Sequence, residues 1–539
     1  MTEMTGLGRS TRTMALGTVV SRGTGFLRTA TLTAVLGLGG VGFAYNLANT
    51  APNIIYELLL GGVLTSAFVP LLVRAAKEQA DRGEAFAQRL LSLTIVVLGV
   101  GSVLLVVLAP QLVDLYTAGR TPAADRDLAI TFARYFLPQV VFYGAGAVMG
   151  GILNTRGRFA PPMWAPVLNN LVVIGTAAVF LLLPETQSGG SLTTLQISVL
   201  GIGTTLGIVA QTAALVPSLV SSGFRFRLRL DLRGSGLGVA ARLARWVVLY
   251  VVLNQLSLLV IVRLSSPLQA TAPGRGYPTY VAAYVLWQLP HAVVAVSVIS
   301  ALLPAMSRAA ADGRTSELRG HLSQGTRLVT AVLVPAVAAY VVLGGAIATL
   351  VFSHGLTTLE QARYIGATLA VFAVGLLPYS AYQLQLRAFY ALQDTRTPAL
   401  VSVVVNAVNI AVDLVAVQAL PPRLQILGLA AGYAAANVVG LAVSSRLLSR
   451  RLDGLDAHRM VRTTVRCLVA VLPAALFALL VQASLTRLLG RGTTGALGSL
   501  LAGGGALLVG YLVTVRRLRV CEVDELLGPV LRRIGLGAR

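Results

Sequence analysis

Residues 14–42 read MALGTVVSRGTGFLRTATLTAVLGLGGVG, a mostly apolar stretch long enough to enter a membrane, and two arginines interrupt it. A charged side chain in the hydrocarbon core costs about 2.5–3.5 kcal/mol on insertion scales, so such residues usually face a water-filled cavity or a partner. Arg22 and Arg28 would lie about 9 Å apart along a straight helix and about 120° apart around it. The stretch therefore predicts a membrane helix that presents two cations to an anionic group such as phosphate, with structural ion pairs as the alternative.

The whole chain has the composition of a helical membrane protein. Of its 539 residues 55% are hydrophobic and 12% are charged, and the mean hydropathy is +0.77; a soluble domain has about 25% charged residues. The apolar runs are long and unbroken, unlike the roughly ten-residue alternating strands of a membrane β-barrel. The net charge of +23 would suggest nucleic acid in a soluble protein, but the arginines concentrate in alternate short loops, which is the positive-inside pattern. We therefore expect no nucleic-acid partner.

Apolar runs of about 20 residues predict an all-α polytopic protein with about fourteen transmembrane helices. An even number of spans places both termini on the cytoplasmic side, which agrees with the basic C-terminal tail. The predicted spans are 12–37, 42–73, 89–116, 128–153, 160–184, 194–220, 237–263, 278–306, 325–352, 362–391, 397–419, 426–448, 462–486 and 493–515.

An internal repeat suggests how these helices are organised. SAFVPLLVRAA (66–76) matches SALLPAMSRAA (300–310) at an offset of 234 residues, and a weaker match at a similar offset links NTRGRFAPP to DTRTPA. An offset that spans an even number of helices predicts two parallel six-helix lobes related by a pseudo-twofold axis along the membrane normal, as in alternating-access transporters. The predicted division is an N-lobe (1–222), a C-lobe (223–450), and two C-terminal helices with a basic tail (451–539).

Two predicted spans carry polar side chains on one face. At 3.6 residues per turn the spacing of these residues places each set on a narrow stripe, and each stripe ends in a carboxylate. Amides in membranes often hold helices together, whereas intramembrane acids usually face a cavity or a partner. The stripes are therefore candidate substrate-binding surfaces together with Arg22 and Arg28; they are Asn46, Asn49, Asn53 and Glu57 in the second span, and Asn406, Asn409 and Asp413 in the eleventh.

Nothing in the sequence indicates an enzyme. It has no glycine-rich phosphate loop, no HExxH and no GxSxG in a strand–helix context. The two cysteines and four histidines are scattered, so we expect no metal site and no cofactor. Without an ATPase motif, transport would draw on a coupling ion, the membrane potential or the substrate gradient.

Seven motifs follow one another along nearly the whole chain. They are SRGTGFLR (21–28), APN (51–53), GGVLTSAFVP (61–70), ILNTRGRFAPPMWAPVLNN (152–170), ALLP (301–304), FYALQDTRTPA (389–399) and LGLAAGY (427–433). In this order they resemble the lipid II flippase family (MurJ/MviN) of the multidrug/oligosaccharidyl-lipid/polysaccharide exporter superfamily.

The resemblance implies a flippase of peptidoglycan synthesis in the bacterial cytoplasmic membrane, which translocates lipid II by alternating access. Two six-helix lobes would enclose a cationic cavity for the pyrophosphate–sugar–peptide head, and the last two helices would bind the polyprenyl tail. Arg22 and Arg28 fall on the two arginines of the family's first-helix motif. The implied partners are the polyprenyl-pyrophosphate-linked glycan, membrane lipids and cell-wall synthesis proteins.

The chain departs from the family at several positions that usually carry charge. Phe43 replaces an acid, Tyr56 and Glu57 replace an arginine pair, and Tyr284 and Val285 replace an Asp–Arg pair. The resemblance therefore implies a less cationic cavity here. Alternatives are an exporter of another lipid-linked glycan, a cation-coupled small-molecule exporter that uses the intramembrane acids, or a transport-inactive paralogue that recruits cell-wall enzymes.

Overall fold

A computed structural model of the chain describes residues 2–57, 69–78, 81, 83–184, 192–231 and 237–523. Every regular element in these ranges is a helix, which confirms the all-α prediction. The helices group into two compact units, residues 1–278 and 279–539. The lobe boundary after residue 222, which comes from the sequence repeat, remains a prediction.

The first unit contains long helices connected by short helices and turns. They are α1 (Thr2–Leu36), α2 (Gly40–Glu57), α3 (Val69–Glu78), α4 (Glu84–Val107), α5 (Ala109–Thr117), α6 (Ala123–Phe136), α7 (Gln139–Thr155), α8 (Ala160–Leu181), α9 (Thr194–Ala213), α10 (Val216–Ser221), α11 (Leu237–Ser265) and α12 (Leu268–Thr271).

A tight turn connects α1 to α2, and glycine makes it possible. Gly37 has a φ of 70°, a left-handed conformation that glycine adopts without steric cost. Its amide donates to the carbonyl of Thr33 at 3.0 Å, which closes the last turn of α1. The two polar helices are thereby joined by only three residues, so the arginines of α1 and the amide stripe of α2 belong to one hairpin.

The second unit begins within the helix that starts at Tyr277, whose first two residues belong to the first unit, and two π-helical segments are inserted in its long helices. Its elements are α13 (Tyr277–Pro290), a π-segment (His291–Ala295), α14 (Val296–Ala311), α15 (Thr315–Phe352), α16 (Leu359–Val374), α17 (Leu376–Ala391), α18 (Arg396–Ala419), α19 (Pro422–Arg451), α20 (Ala457–Leu489), α21 (Thr493–Gly498), a second π-segment (Ser499–Gly503) and α22 (Gly504–Arg517).

The two units use the same helix pairs, at positions offset by about the repeat length. In the first unit α3 and α4 pack on α7, and α6, α7 and α8 pack on α9; in the second, α14 and α15 pack on α17, and α16, α17 and α18 pack on α19. Since these helices correspond in chain order, the sequence repeat is a structural repeat. After it, α20 and α22 pack on each other and on α15, as expected for two helices outside the repeat.

The count of spans agrees with the sequence only in part. Within the described ranges eleven helices are long and apolar enough to cross a membrane, and a twelfth span is the pair α16–α17, bent by 47°. These twelve correspond to the last twelve predicted spans. Of the other two, 12–37 lies within α1, which is long but too polar to qualify, and 42–73 includes residues 58–68, which lie outside the described ranges. The number fourteen therefore stays a prediction.

Candidate functional site

Arg22 and Arg28 lie on α1, and no carboxylate of the described residues forms an ion pair with either. Arg22 is exposed and Arg28 is half-buried. Neither forms an ion pair within 4 Å with an acid of the described residues, and Arg28 Nε is buried without a hydrogen-bond partner among them. Within the described residues, Arg28 thus has a donor to spare, and the alternative of two structural ion pairs is not seen there.

A side chain of α8 fixes this part of α1. Asn170 Nδ2 donates to the carbonyl of Ser21 at 3.2 Å and to Oγ1 of Thr24 at 3.0 Å. Both acceptors flank Arg22 in the chain, and α1 packs along α8. Asn170 therefore sets the position of the arginine segment, which gives the asparagine of the 152–170 motif a structural role that the sequence alone did not indicate.

Asn170→Ala should loosen α1, because it removes two interhelical hydrogen bonds. Single bonds of this kind contribute about 0.6–1.7 kcal/mol in membrane proteins, so we expect a measurable drop in the thermal unfolding temperature in detergent. Asn169→Ala is the matched control, because the neighbouring Asn169 Oδ1 is buried but accepts no hydrogen bond from the described residues. Equal effects of both substitutions would contradict the assigned role.

The stripe on α2 changes from half-buried to exposed along its length. Asn46 donates to the carbonyl of Gly42 on its own helix at 2.7 Å. Asn49 Oδ1 is buried with no partner in the described chain. Asn53 is exposed and accepts from the hydroxyl of Tyr143 at 3.4 Å, and Glu57 is exposed. The polar end of the stripe is thus the end at Asn53 and Glu57.

Glu57 and the arginines of α1 belong to one electrostatic environment. Arg22 is close enough to act on the charge of Glu57, although the two side chains form no ion pair within 4 Å. Arg28 acts in the same way on the hydroxyls of Tyr45 and Tyr143. The structure therefore brings α1, the stripe of α2 and a tyrosine of α7 together.

Aromatic side chains occupy two of the three positions in the first unit where the chain departs from the pattern that the resemblance implies. Phe43 is fully buried, so it belongs to the core. Tyr56 lies against Tyr143 of α7 with ring centroids 4.5 Å apart. Sequence reasoning missed Tyr143, because a lone tyrosine among small apolar residues gives no helical pattern.

The stripe on α18 is buried inside the second unit. Asn406, Asn409 and Asp413 are 5%, 3% and 0% exposed. Asn409 Nδ2 donates to Oδ2 of Asp413 at 3.1 Å, while Oδ1 of Asp413 accepts no hydrogen bond from the described residues. Gly432 of α19 lies directly against this carboxylate, where a Cβ atom would collide with it. These three residues are thus buried where α18 packs on α19. That they contact the substrate remains a prediction.

Tyr284 belongs to an aromatic cluster in the second unit. On α13, Tyr280, Tyr284 and Trp287 share one face, and their rings stack in sequence, with centroids 6.4 and 5.4 Å apart. Tyr433 of α19 and Phe372 of α16 contact Tyr284 edge-on. The i, i+4, i+7 spacing on α13 was the available signal. At Tyr284, the first of the two positions where the resemblance implies an Asp–Arg pair, this chain therefore has a packed aromatic side chain.

The 389–399 motif caps α18. Asp394 Oδ1 accepts from the amide of Thr397 at 2.9 Å, and its other oxygen pairs with Arg451 at the end of α19 at 2.5 Å. Burial alone would raise the pKa of Asp394, but the hydrogen bonds from Thr397 and the charge of Arg451 together hold this pKa below its usual value. The ionised carboxylate thus ties the ends of two helices.

Because this pKa is lower in the folded protein, the stabilisation is present above the usual pKa of an aspartate and is lost as the pH falls through the folded value. Asp394→Asn should therefore lower the unfolding temperature at pH 7, and the difference from the wild-type protein should shrink in acid. Asp453→Asn, at an exposed turn, is the control. A difference that stays constant with pH would exclude the carboxylate as its cause.

Comparisons with known proteins agree with this architecture. A family model described as lipid II flippase MurJ matches residues 32–498. The probable lipid II flippase MurJ of Rhizobium meliloti (strain 1021) is 27% identical over 448 residues, which cover 81% of this chain and 78% of that protein. The lipid II flippase MurJ of Burkholderia cenocepacia is also 27% identical, and 74% of this chain and 76% of that protein are covered.

Solved structures show the same fold. A lipid II flippase MurJ in an inward closed conformation aligns with a TM-score of 0.74 at 19% identity, and covers 94% of this chain and 99% of its own. An inward-facing multidrug resistance MATE family transporter of the MOP superfamily aligns with a TM-score of 0.66 at 16% identity, and covers 80% of this chain and 94% of its own. With a family model that matches most of its length, and with the motifs and helix pairs described above, this multi-pass membrane protein belongs to the lipid II flippase MurJ family.

Proposed function

We propose that this protein is a flippase that translocates lipid II, the lipid-linked peptidoglycan precursor, across the bacterial cytoplasmic membrane. The observation that carries the proposal is the pair of guanidinium groups on α1, Arg22 and Arg28, which no carboxylate of the described residues neutralises. A buried or half-buried cation without a partner is costly in a membrane. An anionic substrate head would supply the missing partner. Because the relatives are named lipid II flippases, we take this anionic head to be the pyrophosphate of lipid II.

The chemistry of the site suits pyrophosphate. Arginine presents a planar fork of donors that binds phosphate oxygens bidentately, and such charge-assisted bonds are about twice as strong as neutral ones. Arg28 Nε is buried and its donor has no acceptor among the described residues. Asn53 and the hydroxyl of Tyr143 lie at the exposed end of the α2 stripe and are suited to the sugar and peptide groups next to the phosphates. No bond is made or broken on this route, so the protein acts as a transporter without catalytic residues.

In this proposal alternating access moves the head group, and no cofactor takes part. A coupling ion, the membrane potential or the substrate gradient supplies the energy, and Asn406, Asn409 and Asp413 are the residues of the second unit that would take part in substrate binding as the packing of α18 on α19 changes. Membrane lipids surround the spans, and cell-wall synthesis proteins are the expected protein partners.

The test of the proposed function is replacement of an essential flippase. Bacteria depleted of their own lipid II flippase should grow when they express this protein, because the precursor again reaches the outer leaflet. Lipid II accumulating inside the cell should fall at the same time. Rescue of growth without a fall in internal lipid II would point to an indirect effect, and stable expression without rescue would contradict the proposal.

Both termini are placed in the cytoplasm in this proposal, because arginine-rich loops alternate with poorer ones. In cells, a cysteine introduced at Ser222 should resist a membrane-impermeant maleimide, whereas one at Ser188, which lies outside the described residues, should be labelled. Cys521 would first be replaced by serine, since it is exposed, while Cys467 is buried. Labelling of both positions from the outside would reject this orientation.

A further inference from the structure

A segment of the first unit, residues 224–231, lies outside the proposed transport site. Its sequence FRFRLRLD alternates apolar and basic side chains, and it forms no helix. Successive side chains of an extended chain point to opposite sides. If the segment is extended, it therefore has one apolar and one basic side.

Polar side chains of α4 hold the backbone of this segment. The amide of Arg225 donates to Oε1 of Glu84 at 3.3 Å, and its carbonyl accepts from Gln88 at 2.6 Å. Farther along, the amide of Arg229 donates to Oγ of Ser92 at 3.0 Å. Eight helical residues from Glu84 to Ser92 rise about 12 Å, and four extended residues cover about 13 Å. The equal lengths indicate that the segment runs extended along the first turns of α4.

Phe224 at the start of the segment is buried in the core and an ion pair anchors its end, while the apolar side between them stays open. Arg89 donates to both carboxylate oxygens of Asp231, at 3.0 and 2.7 Å. Phe226, Leu228 and Leu230 are nevertheless 49%, 65% and 54% exposed. Three large apolar side chains in a row are thus held in place without a protein surface to cover them in the described chain.

The position of the segment indicates what covers these side chains. Beyond the segment's last contact with α4, that helix exposes apolar side chains, and Val97 and Val100 are 56% and 68% exposed, as expected for the lipid-facing surface of a span. Arg225 and Arg227 are exposed and have no side-chain ion pair in the described residues. An apolar side continuous with the lipid-facing surface, next to unneutralised cations, fits the boundary between acyl chains and headgroups.

We propose that residues 224–231 form an extended interfacial anchor that binds anionic phospholipids. The side chains of Phe226, Leu228 and Leu230 enter the acyl boundary, and the arginines bind headgroup phosphates. A basic side chain near an anionic bilayer surface contributes about 1 kcal/mol, a change of about fivefold in binding. The anchor would fix the start of α4 and the connection to α11 at a defined depth in the membrane.

Spin labels on single cysteines can measure this depth. The full-length Cys521→Ser protein would carry Phe226→Cys, Leu228→Cys, Arg225→Cys or Arg227→Cys in vesicles that contain phosphatidylglycerol. Collision rates with oxygen should exceed those with a polar nickel chelate at 226 and 228, as at the lipid reference Val100→Cys. The ratio of the oxygen collision rate to the nickel-chelate collision rate should be several-fold lower at 225 and 227, as at the aqueous reference Asp312→Cys.

The contribution of the arginines has its own test. In the Leu228→Cys protein, the label should lie deeper in the membrane when phosphatidylglycerol is present. The double substitution Arg225→Gln and Arg227→Gln should abolish this dependence, whereas the control Arg491→Gln, at an exposed turn elsewhere, should not. Four labels that all resemble the aqueous reference would overturn the proposal. Labels shielded from both reagents only in host membranes would overturn it as well, because they would show that a protein covers the segment.

Discussion

Arg28→Ala should abolish rescue of flippase-depleted cells while the protein remains inserted at the wild-type level, and Arg22→Ala should do the same. A charged hydrogen bond contributes about 1.5–3 kcal/mol, so loss of a bidentate phosphate contact should lower lipid II affinity by about 100-fold or more. Native mass spectrometry or a binding assay with purified lipid II measures this loss. Folding should be unaffected, because neither side chain has a carboxylate partner in the described residues.

Lysine separates charge from geometry at these two positions. Arg28→Lys keeps the cation but loses the planar fork of donors, so we expect poor rescue and an affinity between those of the wild type and the alanine variant. Arg491→Ala, on the exposed turn after α20, is the matched control and should rescue fully. If both alanine variants at 22 and 28 transport normally, the arginines of α1 do not bind the substrate.

Much of the fold could be predicted from the sequence, because a membrane span is a local property. A run of about 20 apolar residues specifies a span wherever it packs. Within the described ranges, eleven such helices and one bent pair appear where the apolar runs lie. The repeat could be predicted for the same reason, since corresponding segments keep similar residues. The first span was harder to place in a membrane, because its polar residues, Arg22 and Arg28 among them, lower its hydropathy.

The sequence predicted the candidate site only where all the residues concerned lie on one helix. The stripe of α2 follows from the 3.6-residue period, whereas the hydrogen bonds from Asn170 to α1 join residues almost 150 positions apart. The same limit applies to Asp413. Its place on a polar stripe follows from spacing, but its complete burial against Gly432 depends on how closely α19 approaches. Contacts between distant helices therefore account for most of what the sequence did not reveal.

Glu57→Gln should raise the affinity for lipid II without changing the stability of the protein. Glu57 is exposed at the end of the α2 stripe and within electrostatic range of Arg22, yet it forms no ion pair within 4 Å there. Its charge both opposes an incoming pyrophosphate and attracts the guanidinium that should bind it. At an effective dielectric constant near 20, two unit charges about 8–16 Å apart interact by about 1–2 kcal/mol, and about 1.4 kcal/mol is tenfold in a binding constant. Removing one of them should change the affinity by about tenfold.

The pH dependence distinguishes this electrostatic effect from a change in shape. Glutamine matches protonated glutamate in size, so the two proteins should differ most where the carboxylate of Glu57 is ionised and should converge as the pH falls. Glu360→Gln, which removes an exposed acid from the first turn of α16, controls for the net charge of the protein. Equal affinity and transport of the Glu57→Gln and wild-type proteins from pH 5 to 8 would show that this carboxylate takes no part. A third outcome is that the Glu57→Gln protein binds lipid II more tightly but transports it more slowly. In that case the charge of Glu57 serves to release the substrate, and its place beside Arg22 would make the carboxylate a competitor that displaces the pyrophosphate at the end of each transport cycle.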